Sequence, residues 1–235
     1  MSRGSAMVAR MIRAFTLSLG QLFDPAILKV LAKVIALTLA LFIGLGIALW
    51  WAAYTLAIHY GWAAEASGWA AAAAVMVALI AGWLLFRVVA IAVMGIFADA
   101  VVEAVERRYY PGAMASAKAP GLARSVHMGL ASAGRALLFN LIALPVYLAL
   151  LVTGVGTVAV FAVVNALLLG RDLGEMVAVR HLPAAAIREW LGMTRASRFL
   201  LGLVVTGLFV VPVANLFAPI LGAAMATHLF HGRKS

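Results

Sequence analysis

Cysteine is absent from this 235-residue chain, and acidic side chains are scarce: eight Asp and Glu stand against eighteen Lys and Arg. Without a thiol there is no disulfide, no thiolate metal site and no cysteine nucleophile. Charged residues make up only 11% of the chain, while 66% are apolar and the mean hydropathy is +1.09. A soluble domain of this length needs more polar side chains to cover its surface, so composition alone points to a membrane. A nucleophile elbow, a phosphate loop and a His-Glu-x-x-His zinc helix are also missing. No enzyme chemistry and no cofactor are expected. The net charge of +10 invites a nucleic-acid reading. The basic residues flank apolar runs instead, without the aromatic interleaving that single-strand binding requires. The expected partner is the lipid bilayer, and no nucleic acid.

What is present reads in order along the chain. In residues 1–24, Val8, Met11, Ile12, Phe15, Leu19, Leu22 and Phe23 recur at helical spacing, with Arg10, Arg13, Ser18 and Gln21 on other faces. This predicts an amphipathic helix lying in the interface. A small-residue cleavage site does not follow it, so it is expected to stay in the mature protein. Asp24-Pro25 ends this helix and starts the next, Asp24 as N-cap and Pro25 at the first helical position. No charge occurs from Val34 to Ile58, about 37 Å of helix at ~1.5 Å per residue. Trp50, Trp51, Tyr54, Tyr60 and Trp62 crowd its far end as an interfacial belt. Transmembrane helices are predicted over 25–60 and 69–98, joined by an outer loop carrying Glu65. A cytoplasmic connection follows over 99–135.

Two later apolar blocks, 136–170 and 199–230, are each interrupted. Pro145 and the Thr153–Thr157 stretch break the first; Pro212 to Pro219 breaks the second. The pieces 158–169, 199–211 and 220–230 span only ~17–20 Å against ~30 Å of hydrocarbon. The basic residues settle the sides: five lie in the amino-terminal region up to Lys33, six between Arg87 and Arg135, five between Arg171 and Arg198, and two at Arg233-Lys234. All eighteen fall on one side, which the positive-inside rule makes cytoplasmic. Each block is therefore a hairpin that leaves and returns on that side, with 171–198 as a second cytoplasmic connection. Two readings fit: hairpins that dip only partway, with irregular tips lining a polar cavity, or full crossings accommodated by tilt. The fold expected is an all-α integral membrane protein in a single membrane domain over 1–235.

With these pieces in place, the chain resembles the CysZ-type sulfate permeases and the wider etoposide-induced-protein domain family, over nearly its whole length. Gly20-Gln21-Leu22-Phe23-Asp24-Pro25-Ala26-Ile27-Leu28-Lys29 resembles the family's first helix and its Pro-Gly-aliphatic-Arg-Arg turn. Phe97, Glu103 and Glu106 keep its Phe-x5-Glu-x2-Glu spacing. Gly154-Val155-Gly156 resembles its first hairpin tip. Pro212-Val213-Ala214-Asn215-Leu216-Phe217, followed by Ala226-Thr227, resembles its second tip and return helix. The resemblance implies two spanning helices, two partly penetrating hairpins and a homo-oligomer around an anion path. The expected location is the bacterial inner membrane, with both termini cytoplasmic. The implied function is a permease for sulfate or a similar small oxyanion, feeding sulfate assimilation and cysteine biosynthesis. The alternative is a non-transport membrane scaffold or stress-linked protein of the same family. Departures stand at Ala26, Leu28 and Ala98, where the family has Gly, Arg and Asn. The Asn165–Asp172 stretch also lacks the family's tyrosines.

Candidate residues follow. The free amides of Ala26, Ile27 and Leu28 at a helix start, with the charge of Lys29, can meet an anion; the bland alternative is a basic marker at the inner end of a span. Asn215 at the second tip and Thr227 on the return helix are further substrate-binding candidates, against ordinary interhelical hydrogen bonding. Glu103 and Glu106, at i and i+3, form a candidate coupling pair or a solvated helix end. Arg87 and Asn165 are candidate pathway groups. His228 and His231 show no further ligand nearby in sequence, so no metal is expected.

Overall fold

A computed structural model describes residues 3–22, 24–59, 76, 80, 82–84, 97–215 and 217–232. Among the described residues every regular element is helical. In order these are α1 (Arg3–Gln21), α2 (Pro25–His59), α3 (97–109), α4 (Pro111–Met114), α5 (Leu122–Leu150), α6 (Val155–His181), α7 (Ala184–Met193), α8 (Arg195–Val210), α9 (Pro212–Asn215) and α10 (Ala218–His231). The chain is an all-α membrane protein. The outer loop with Glu65, nearly all of the span expected at 69–98, and Arg87 lie outside the described residues.

The chain forms two units, one of Leu28–Phe97 and one of Met1–Ile27 with Ala98–Ser235. In the first, α2 carries exposed Ile35, Ile43, Ile47, Trp50, Trp51 and Tyr54. Its 35 residues give about 52 Å of helix, more than a bilayer core needs.

In the second unit, α5 and α6 form a hairpin that turns through a 3-10 segment, Leu151–Thr153, and Gly154. Gly154 sits at φ +63°, a conformation glycine adopts without steric cost. The Thr153 hydroxyl accepts from the Gly156 N–H, in the first turn of α6, at 3.1 Å. Pro145 stays inside a continuous α5 instead of breaking it. Nor is α6 the short 158–169 piece expected from sequence: it runs 27 residues, about 40 Å. It continues because its charges are met at the hairpin base. Arg135 donates to Asp172 at 2.9 Å and lies 3.5 Å from Glu175, which Arg171 also approaches at 3.5 Å. Ser132 donates to Asp172 at 2.5 Å. The apolar part above that base is 155–170, and most of α5 above the base, including Leu137, Leu141, Ile142 and Leu148, is exposed.

The α7–α8 joint bends by 78° at Thr194. Beyond α8, the proline-punctuated stretch at 211–219 forms the short α9, and α10 returns against α8 and α6. Every residue from Ile220 to His228 in α10 is buried. Four of them, Gly222, Ala223, Ala224 and Ala226, are Ala or Gly, so neighbours approach from all sides. The core joins α10, α8, the lower half of α6, α1 and the Val101, Val102, Val105 stripe of α3.

The apolar residues of α1 divide between two faces. The residues it buries are Met11, Ala14, Ser18 and Gln21, while Val8, Ile12 and Leu19 face outward. Ser18 bonds back to the Ala14 carbonyl at 2.7 Å, so its hydroxyl is satisfied and the slim stripe can pack against α10.

Candidate functional site

The polar centre of the unit forms where α3, α6 and α10 meet. Glu106 lies on the same inward stripe of α3 as Val102 and is fully buried. His181, the last residue of α6, donates through Nε2 to Glu106 Oε1 at 2.6 Å. His231, the last of α10, reaches the same oxygen at 3.2 Å. Arg180 Nη2 lies 3.4 Å from the other oxygen, Oε2. Burial drives the Glu106 carboxyl toward its neutral form. Hydrogen bonds from His231 and His181 and the charges of His181 and Arg180 outweigh this and hold its pKa below the usual carboxylate value.

A second polar cluster adjoins the first. Tyr110 pairs through its hydroxyl with His228 Nδ1 at 2.8 Å, and Gln21 meets His228 Nε2 at 2.8 Å. The Tyr110 ring stacks on His231 with centroids 4.5 Å apart, and His181 sits edge-on to His231 at 4.9 Å. The long reach of Gln21 ties α1 to α10 and extends the buried stripe of Met11, Ala14 and Ser18.

Glu106, His181 and His231 bring potential ligand atoms within 4.8 Å of one another. The carboxylate beside His231, which spacing along the chain does not show, is Glu106, delivered by the fold from 125 residues away. The donor set does not favour a cation. Both imidazoles already direct Nε2 at one carboxylate oxygen, and the Arg180 guanidinium faces the other. The cluster is a charge-compensated hydrogen-bond network.

The sequence candidates fall in different places. Glu103 pairs with Arg107 one turn on and is half-exposed, so it does not share the Glu106 environment. Ile27 is buried, whereas Leu28 and Lys29 are exposed one turn into α2, and Ala26 is the second residue of that helix. Asp24 lies 3.7 Å from Arg108. Asn215 is exposed at the end of α9. Thr227 is fully buried and gives its hydroxyl to the Ala223 carbonyl at 2.8 Å. Asn165 gives its amide to the Phe161 carbonyl at 2.9 Å. Arg180, His181 and Tyr110 are not among the sequence candidates; the signal available was the Arg180-His181 pair closing the Ala- and Val-rich end of α6.

Among known proteins, the family described as "Sulfate transporter CysZ/Etoposide-induced protein 2.4" matches residues 14–219. No curated protein matches the chain.

Proposed function

The chain belongs to that family, which covers most of its length, and from this premise we propose that it is a permease for sulfate or a similar small oxyanion in a bacterial inner membrane. The family match is the observation that carries the reading. The charge asymmetry supports the orientation, with both termini and both basic connections cytoplasmic. This reading assigns anion binding to the amides of Ala26, Ile27 and Leu28 with the charge of Lys29, and to Asn215 at the second tip. Thr227, whose hydroxyl is committed to its own helix, supports the packing of α10. Glu106 acts as the coupling group, and Glu103, Arg87 and Asn165 remain pathway candidates. The extensive apolar surface of α5 suits lipid and further copies of the chain in a homo-oligomer. Supply of sulfate for assimilation is the physiological role that follows.

Radiolabelled sulfate flux into liposomes containing the purified chain is the direct test. Saturable uptake, reduced by competing oxyanions, is expected. Absence of flux for every oxyanion in folded protein would overturn the permease reading and leave the membrane-scaffold role of the same family.

A further inference from the structure

A cavity of about 130 Å³ opens between α1, α7, α8 and the end of α10, entirely within the second unit. That is room for about four waters at ~30 Å³ each. Its lining includes Arg10, Arg13 and Arg198 and no acidic residue. Arg198 is 8% exposed. Its Nε donates to the Thr194 hydroxyl at 3.0 Å and one terminal nitrogen donates to the Leu191 carbonyl at 2.6 Å. These bonds hold the fork in place and leave the other terminal nitrogen open. Among the described residues neither Arg198 nor Arg13 has a carboxylate within ion-pair distance. A buried guanidinium without a counter-charge is costly unless an anion meets it.

The surroundings make room for this arginine deliberately in geometric terms. A Cβ at Gly174 of α6 would stand 2.6 Å from Arg198 Cδ and 3.2 Å from the Trp190 ring, so only glycine leaves the side chain its berth. Burial, then the charges of Arg171 and Arg195, pull the Arg198 pKa below its ordinary value, with only Glu175 opposing them. Arg13 acts on Tyr110, another lining residue, in the same positive sense. The Ser197 hydroxyl is half-exposed at the rim and makes no hydrogen bond within the described residues.

We propose that this cavity binds a phosphate-type oxyanion, with Arg13 and Arg198 as its charged ligands and Ser197 as a hydroxyl donor. Planar guanidinium forks suit two oxygens of a tetrahedral anion better than point charges do. The outward Val8, Ile12 and Leu19 of α1 hold Arg10 and Arg13 at the depth of lipid phosphates, where basic pockets between helices take headgroups. The phosphate is either that of an anionic lipid or a free ion. This site is separate from the Lys29 turn and does not depend on transport.

The test uses the full chain in nanodiscs and reads thermal unfolding, not flux, so its failure is distinct from failure of the permease reading. One arm adds inorganic phosphate to zwitterionic phosphatidylcholine discs, against chloride at equal ionic strength. The other replaces part of the lipid with phosphatidylglycerol. In at least one arm Tm should rise by about 3 °C or more, as linkage predicts for a near-saturated site in a chain of this size. A shift confined to phosphatidylglycerol assigns a lipid headgroup; a shift with phosphate in phosphatidylcholine assigns a free ion. Arg13→Gln, at an exposed position, should keep the ligand-free Tm and weaken binding at least tenfold. Arg198→Lys should weaken it similarly, since charge remains but the fork is lost. The proposal is overturned if neither arm shows a shift beyond chloride, or if both variants keep the full shift.

Discussion

Gly170 of α6 and Gly202 of α8 face each other at a crossing so close that neither can carry a side chain. A Cβ on Gly170 would fall 1.8 Å from the Arg198 carbonyl oxygen, and one on Gly202 would fall 1.9 Å from that of Ala166. Ala166, Gly170 and Gly174 repeat every fourth residue along α6. This is the small-residue stripe that lets membrane helices approach through van der Waals packing.

Substitution at this crossing tests its weight in the fold. Gly202→Ala is expected to cost at least ~1–3 kcal/mol, the usual penalty of overpacking, because backbone has to move. Gly207→Ala on the same helix meets nothing within 4 Å and should stay within about 1 kcal/mol of wild type. Thermal unfolding in detergent separates the two; equal Tm values for both variants would contradict the close crossing.

Glu106 and Glu103 are three residues apart yet differ in role. Glu106→Gln leaves the buried Arg180 without its counter-charge and should destabilise the chain by roughly 3–5 kcal/mol. Glu103→Gln removes a half-exposed pair with Arg107 and should cost under about 1 kcal/mol. Denaturation midpoints of the two single variants decide this.

Acid should expose the same difference. The Glu106 pKa is depressed in the folded chain, so its contribution is present above the unfolded value of about 4.3 and is lost as pH falls through the lower folded value. Stability measured from pH 6 to pH 3 should fall below about pH 4. In Glu106→Gln that component of the slope should disappear; an unchanged slope would assign the acid sensitivity to other carboxylates.

Transport assays weigh the first-helix turn against the second tip. Loss of a charge-assisted hydrogen bond is worth ~1.5–3 kcal/mol, so Lys29→Ala should reduce sulfate uptake tenfold or more. If Lys29→Ala leaves flux intact while Asn215→Leu abolishes it in folded protein, the anion site belongs to the tip.

Hairpin depth is open to single cysteines, because the chain has none of its own. Cysteines at Val155 and Ala214 should react with small reagents from outside but resist bulky ones if both tips lie within the membrane. Ready modification by the bulky reagent would establish full crossings. Cysteines at Lys118 and Glu189 should label only from the cytoplasmic side.

The chain's own residues determined its solvent, its helices and its breakpoints. Long uncharged runs admit no other secondary structure in lipid, because each backbone group has to be satisfied within its own helix. Asp24-Pro25, Gly154 and Pro212 to Pro219 mark turns through local backbone geometry, which needs no knowledge of neighbours. Periodicity could not tell which face of α1 is buried, since apolar residues suit a bilayer as well as a core. Small Ala14 and Ser18 pack against α10 because it offers close approach, while Ile12 faces outward. Tertiary structure alone separated Glu106 from Glu103 and joined it to His181 and His231, from helices 75 and 125 residues away. It likewise set Arg13 and Arg198 on one cavity. Such pairings depend on which helix faces converge in space, and spacing along a single chain carries no information about that.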